Sequence, residues 1–326
     1  MKLELRSVRL KNCGPIDDVQ LNFFDASGKT LPVCVIGGAN GSGKTTVLET
    51  VFFLANFAGA SSYQANHKLL KPKTYVQVDW RFDSDEVRTV IGELPENVLP
   101  HQPMQTAASP GVQVHSAQIA EIQSRIRTQS SQESPENLRR SFPSEFIPSV
   151  IYLPHSRGLE PVVGEQMNKE EDRYQFAHRI EPVRQFPHSL NSYLIYLDYA
   201  YPDRYAAIQV FLNSLGLEGK TFRVDRRSFD VMVKTANGQE HRLHELSSGE
   251  QNLLIILVEL YRKLTPGSIV LIDEIENSLH PAYQHRLAQG LLKLQKEIPY
   301  QLIVTTHARA FVEIFGTENT LLLTQF

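Results

Sequence analysis

The chain has 326 residues, 41% of them hydrophobic, and a formal net charge of -3. That length suits one large domain or two modest ones, and that charge excludes a global basic field that would draw the protein onto nucleic acid or anionic lipid. Its two cysteines, Cys13 and Cys34, form no CxxC pair, which argues against a zinc site or a disulfide framework and fits a reducing cytoplasm.

The opening MKLELRSVRLKNCG alternates charged and apolar residues and predicts a strand, not a signal peptide. The first 35 residues and 73–82 (KTYVQVDWRF) together predict an antiparallel sheet. Five apolar runs, Val33–Ile36, Val150–Leu153, Ile269–Ile272, Leu302–Val304 and Leu321–Leu323, predict strands buried on both faces. Helical patterns follow at 44–57, with Val47, Val51, Leu54 and Ala55 on one face, and at 281–297, opened by Pro281 and carrying Leu287, Leu291, Leu292 and Leu294. This alternation predicts an α/β core.

The middle of the chain differs. Residues 93–145 are rich in Pro, Ser, Gln and Glu, and TQSSQESPEN has little to bury, so a mobile loop is expected near 128–145. A short amphipathic helix with Ile119, Ile122 and Ile126 on one side is expected before it. Two helices broken near Pro202 are expected over 186–215, then a hairpin over 221–235 with Asn237-Gly238 as a turn signal. The expected organisation is a first part of one lobe over 1–84, an inserted mainly helical lobe over 85–220 with a core strand near 149–154, and the returning part over 221–326. No internal repeat and no long heptad array is evident, and no apolar stretch reaches the roughly 20 residues that span a bilayer.

Between the first predicted core strand and helix lies GGANGSGKTT. Gly38 to Thr45 fits G-x-x-x-x-G-K-[ST] in a strand–loop–helix context. Glycines let backbone N–H groups turn inward around phosphate oxygens, and the helix start adds its dipole. Gly38, Asn40, Gly41, Ser42, Gly43, Lys44, Thr45 and Thr46 are therefore candidate ATP-binding residues, with Lys44 on the terminal phosphates and the Thr45 hydroxyl on Mg²⁺. Asn40-Gly41-Ser42 also matches a glycosylation sequon, an accidental match in a cytosolic chain.

SIVLIDEIENSLHP at 268–281 ends an apolar strand in two acids. Asp273 beside a phosphate loop is a candidate Mg²⁺ ligand, and Glu274 a candidate for polarising the attacking water. QLIVTTHA at 301–308 gives another strand, and His307 at its end is a candidate near the terminal phosphate. The competing reading of the two acids is a surface pair that ends a strand, and of His307 a surface or satisfied core residue.

The stretch that separates ATPase classes is HELSSGEQNLLIILVELYRKL at 244–264. Ser247, Ser248, Gly249 and Glu250 precede a strongly apolar helix and read alone as a helix cap. LSSGEQ resembles the LSGGQ signature of ABC-type ATPases, and the motif order (phosphate loop, signature, DE strand, His) is similar to theirs. The resemblance implies a P-loop NTPase fold, an ABC-type ATPase head with a mixed sheet core. It also implies a homodimer in which the signature of one copy covers ATP held by the other, with Ser247 and Gly249 acting across the interface. Asn277, Ser278, Leu279 and His280 would form the D-loop there.

LRSVRLKNCGPIDDVQLNF, DEIENSLHP and TTHARAFVEIF resemble the SMC, RecF and OLD-like branch, and the long stretch between Thr45 and Leu246 suits it. The sequence shows no coiled-coil arm or Cys hook, a departure from SMC proteins, and no fused nuclease of the OLD type is expected after the His strand. It resembles the compact AAA-family ATPases of bacterial antiphage systems, retrons among them. That resemblance implies a separate effector, a nuclease or toxin, as partner. The alternatives are a RecF-like DNA-binding repair ATPase and, with less support, a transporter ATP-binding subunit.

One motif departs from the class. No Gln stands where the class places its Gln loop; the stretch reads VIYLPHSRGLEP, so His155, Ser156 or Arg157 takes that place. Arg157 is the favoured nucleotide or interface contact, with a structural salt bridge as the alternative. Arg125, Arg127, Arg139 and Arg140, and Arg223, Arg226 and Arg227, form local positive clusters. They read as solvated faces or as a DNA-backbone groove, for which binding would fall steeply with salt.

Overall fold

The computed structural model describes residues 2–58, 73–92, 104–106, 112–116, 118–129, 138, 143–159, 174–180, 189–215, 217 and 219–323. Two layers of sheet organise them. The N-terminal layer contains β1 (Leu3–Cys13) and β2 (Ile16–Asn22). After β3 (Val33–Gly38) and α1 (Lys44–Ala58) the chain returns to that layer. There it adds β4 (Tyr75–Phe82), β5 (Asp85–Ile91), β6 (Met104–Thr106) and β7 (Val112–His115). The strand order is β2-β1-β4-β5-β7-β6, antiparallel throughout.

The next elements are α2 (Ile119–Gln129), β8 (Val150–Leu153), β9 (Ala177–Arg179), α3 (Leu190–Ala200) and α4 (Pro202–Ser214). A meander of β10 (Thr221–Asp225), β11 (Asp230–Lys234) and β12 (Glu240–Arg242) leads to α5 (Ser248–Lys263). The chain then forms β13 (Ile269–Ile272), α6 (Pro281–Glu297), β14 (Gln301–Thr305), α7 (Arg309–Phe315) and β15 (Thr320–Leu323).

All five apolar runs are strands of one sheet, in the order β15-β3-β14-β13-β8-β9. Every pairing in it is parallel, so parallel and antiparallel strands are segregated into separate sheets. Period-two alternation divides its side chains. Cys34, Ile36, Val150, Tyr152, Ile269, Leu271 and Ile303 pack with α1 and the N-terminal sheet. Val33, Val35, Ile151, Leu153, Val270, Ile272, Leu302 and Val304 pack with the helices on the other face. Burial on both faces is why β3, β8, β13 and β14 read as continuous apolar runs; β15 departs from that expectation, since it is an edge strand that leaves Leu322 exposed.

Several sequence expectations are refined. A boundary at 84 would pass through the β4–β5 hairpin, where Phe82 pairs with Asp85. The first part of the expected helical lobe therefore extends the N-terminal sheet, and its described helices are α2, α3 and α4. The Asn237-Gly238 turn joins β11 to β12, so the expected hairpin is a three-stranded meander. The expected mobile loop falls mostly outside the described residues, although Thr128 and Gln129 complete α2.

One side chain stitches the layers together. The pairing of β1 with β4 shifts between Leu5 and Ser7, a bulge. The Leu5 N–H donates to Gln301 Oε1 at 2.9 Å, and Gln301 Nε2 donates to the Leu5 carbonyl at 3.1 Å. Gln301 is buried at the start of β14, so its amide replaces a strand partner. Gln301→Ala leaves two buried backbone groups unpaired. It is expected to lower unfolding free energy by roughly 2–4 kcal/mol in urea titrations.

Candidate functional site

The parallel register aligns four strand ends. Ile272 lies beside Leu153 on one side and Val304 on the other, and Ile36 beside Thr305. The segments that follow β3, β8, β13 and β14 therefore emerge at one edge, where open α/β sheets place their ligand sites. They carry the phosphate-loop residues, His155 to Arg157, Asp273 to Leu279, and Thr306-His307.

The loop from Gly38 is shaped by its neighbours. Gly43 has φ 98°, and a Cβ there would lie 2.5 Å from Ile16 Cγ1, so the turn between β1 and β2 presses on the loop at a position only glycine tolerates. Asn40 and Gly41 are exposed, Thr46 is half-buried, and buried Ser42 keeps an Oγ without a hydrogen-bond partner. Lys44 is buried, and its Nζ donates to the carbonyls of Gly38 (3.0 Å) and Ala39 (2.9 Å). Burial lowers its pKa from the ordinary lysine value, while Glu274, Asp273 and Glu276 act in the opposite sense.

Asp273 is fully buried and takes partners on both oxygens. Thr45 Oγ1 donates to Oδ2 at 2.8 Å and Thr305 Oγ1 to Oδ1 at 2.6 Å; His155 Nδ1 lies 3.4 Å from Oδ2. Thr305 Oγ1 also accepts from the Glu274 N–H at 2.7 Å, which fixes the first peptide after β13. Glu274 itself is half-buried, with φ 45°. His307 is exposed, and its N–H donates to Glu276 Oε1 at 2.6 Å. Glu276 Oε2 is buried without a partner. Thr305, Glu276 and His155 thus join the site, and only His155 was considered from sequence.

A hydroxyl and one buried carboxylate in contact at a phosphate loop fit Mg²⁺, which keeps several waters and shares its remaining positions with phosphate oxygens. A dedicated protein cage is not required, and none of three or more His, Cys, Asp or Glu side chains occurs among the described residues.

The signature residues form a helix start. Ser247 caps α5: its Oγ accepts from the Glu250 N–H, while Glu250 Oε2 accepts from the Ser247 N–H and hydroxyl. Glu250 Oε1 lies 2.9 Å from Lys220 Nζ. Burial raises the Glu250 pKa, but Lys220 and Ser247 outweigh it and hold the carboxyl below its ordinary value. Ser247 and Ser248 are exposed. A Cβ on Gly249 would meet the Ser278 carbonyl at 2.6 Å, so the helix start and the turn after β13 are in close contact.

Within the expected D-loop, Ser278 is exposed, with φ 60°, and Leu279 is buried in the core. Asn277 donates to the His155 carbonyl at 2.9 Å, and His280 caps α6 by accepting from the Ala282 N–H. Arg157 is engaged within the chain: its guanidinium donates to backbone carbonyls and to Asn252. Of the positive clusters, Arg125 pairs with Glu121, Arg223 with Glu240 and Arg226 with Asp198. Arg139 and Arg140 lie outside the described residues. No described helix is long and apolar enough to cross a membrane.

Comparison with known proteins places this geometry. A retron Ec83 "probable ATPase" of Escherichia coli is 35% identical over 112 residues, 31% of this chain and 20% of that protein. A retron Vc95 "probable ATPase" of Vibrio cholerae is 33% identical over 98 residues, 26% of this chain and 18% of that protein. The matched stretches thus span about a fifth of those relatives. An Smc head solved with the C-winged helix domain of ScpA superposes with TM-score 0.51 at 15% identity, covering 95% of this chain and 91% of that one, a likeness of fold. The family model described as "AAA domain, putative AbiEii toxin, Type IV TA system" matches residues 33–313. This chain belongs to that AAA-domain family, AAA_21, and carries its P-loop fold in the form of an SMC-like head.

Proposed function

We propose that the chain binds and hydrolyses ATP. The observation that carries this reading is the contact of Thr45 Oγ1 with buried Asp273 Oδ2 at 2.8 Å, beside Lys44 and Glu274 at one sheet edge. On ATP binding, Lys44 would exchange the carbonyls of Gly38 and Ala39 for phosphate oxygens. Inward N–H groups of the 38–46 loop would wrap the phosphate chain. Thr45 and Asp273 would hold Mg²⁺, which when bound neutralises charge on the phosphate oxygens. Glu274 would polarise the attacking water and take its proton, with His307 near the terminal phosphate.

The sites of two copies would complete each other. Exposed Ser247 and Ser248, with Gly249 and exposed Ser278 against them, form a surface suited to a second copy's ATP. ATP would close this dimer and hydrolysis reopen it, a ligand-driven switch. The proposal extends to a separate effector, a nuclease or toxin, and a role in antiphage defence; the likeness to retron probable ATPases supports its ATPase part. The RecF-like reading draws less support, because Arg125, Arg223 and Arg226 already have acidic partners.

Purified protein is expected to release phosphate from ATP in a Mg²⁺-dependent manner, with EDTA abolishing turnover, and to shift to a dimer on sizing columns with ATP. Absence of Mg²⁺-dependent release would refute the hydrolytic reading. Tight, steeply salt-dependent DNA binding by this chain alone would favour repair over effector control.

A further inference from the structure

Arg157 gathers three segments that are far apart in sequence. Its Nη1 donates to the carbonyls of Leu153 (3.2 Å), Pro154 (2.7 Å) and Asp273 (2.7 Å), and its Nη2 to that of Glu274 (2.8 Å). Its Nε donates to Asn252 Oδ1 at 2.6 Å, on the first turns of α5. Asn252 passes the connection on: its Nδ2 donates to the Asn277 carbonyl at 2.6 Å. Asn277 Nδ2 returns to the His155 carbonyl at 2.9 Å, closing a ring around the turn after β13.

That turn needs holding. Glu274 and Ser278 are both non-glycine residues in the left-handed region, with φ 45° and 60°. Each such residue costs roughly 1–3 kcal/mol and persists only where its surroundings fix it. The bonds from Arg157 fall on the peptides either side of the Glu274 Cα. They therefore set the direction in which its carboxylate leaves the backbone. The acceptors are uncharged, so the guanidinium acts here as a planar fork of donors, a role that the three donors of a lysine cannot reproduce. Burial pushes its pKa down to about 10, against the pull of Asp273, Tyr152, Glu276 and Glu274, so it keeps its charge and all its donors at neutral pH.

We propose that Arg157 is a positioning residue that, through Asn252, locks the turn carrying Glu274 to the signature end of α5, so that the two move as one body. Seating of a second copy's ATP against Ser247 to Gly249 would then be felt at Glu274 through Asn252 and Arg157. The catalytic half of this inference rests on the proposed hydrolytic role of Glu274; the mechanical half does not.

The test uses the full chain with Arg157→Lys and Asn252→Ala. Without nucleotide, hydrogen–deuterium exchange over 273–279 and 247–252 is expected to accelerate together in either variant, by about tenfold or more. With ATP, kcat is expected to fall about 30-fold while KM and the Kd for a fluorescent ATP analogue stay within about threefold. Unchanged exchange in 273–279 in both variants would overturn the lock. A loss of ATP affinity matching the loss in kcat would make Arg157 a nucleotide ligand and overturn the positioning role. Should wild-type protein release no phosphate, the hydrolytic reading fails, and exchange alone still decides the lock. If Arg157→Lys does not fold, Asn252→Ala, which retains the guanidinium, decides in its place.

Discussion

Glu274→Gln is expected to bind ATP with unchanged affinity, to lose turnover by roughly 10²–10⁴-fold, and to accumulate as a closed dimer. The substitution keeps the size of the side chain and removes its capacity to take a proton. Lys44, Thr45 and Asp273, which grip the phosphates and metal in the proposed site, are untouched. Backbone geometry is also preserved, since the Glu274 N–H bond to Thr305 Oγ1 and the Arg157 bond to its carbonyl involve no side-chain atom of Glu274. Single-turnover phosphate release and light scattering with ATP check the two halves separately. Full turnover would transfer the base elsewhere, and a candidate replacement is Glu276, whose Oε2 is buried and unpaired.

Ser247→Arg is expected to leave ATP binding by each copy intact and to cut turnover by roughly 10²–10³-fold, the loss typical of removing a transition-state donor from a closed site. The position is exposed, so an arginine fits without disturbing the core. Loss of the helix cap costs about 1 kcal/mol, a small shift in melting temperature that separates this cause from misfolding. Mixing Ser247→Arg with Lys44→Ala gives a sharper result. Each variant alone is expected to turn over far more slowly than the wild type, but a mixed dimer pairs one intact phosphate loop with one intact signature and is expected to regain activity. Normal turnover by Ser247→Arg would exclude action of the signature in trans.

The core strands were readable because burial on both faces leaves an uninterrupted apolar run, as in IVLI of β13. β9 escaped notice for the opposite reason: it is the three-residue Ala177–Arg179 at a sheet edge, with His178 its buried residue. β5, DEVRTVI, carries enough alternation to be read as a strand, but its partner is fixed only by the two-residue turn after Phe82. The site divides in the same way. The phosphate loop and DE pair are contiguous, so their chemistry can be read from the residues directly. Thr305 on Asp273, Arg157 on Asn252 and Gln301 on Leu5 join residues 32, 95 and 296 positions apart. No local pattern reports such pairs; only the parallel register that aligns the strand ends creates them. Leu279, placed by a motif, has its apolar side chain in the core.

The strand order also sets a timetable for synthesis. β3, the strand that carries the phosphate loop, has β14 on one side and β15 on the other, the last two strands of the described chain. A ribosome that has released β1 to β13 has made every neighbour of β1 but none of β3. The N-terminal sheet can close early from local hairpins, whereas β3 waits, unpaired and apolar, until residues beyond 300 emerge. Such delayed long-range pairing slows folding and exposes sticky strands in the interval. The strand that carries the phosphate loop thus gains its sheet partners only after residues beyond 300 have been made.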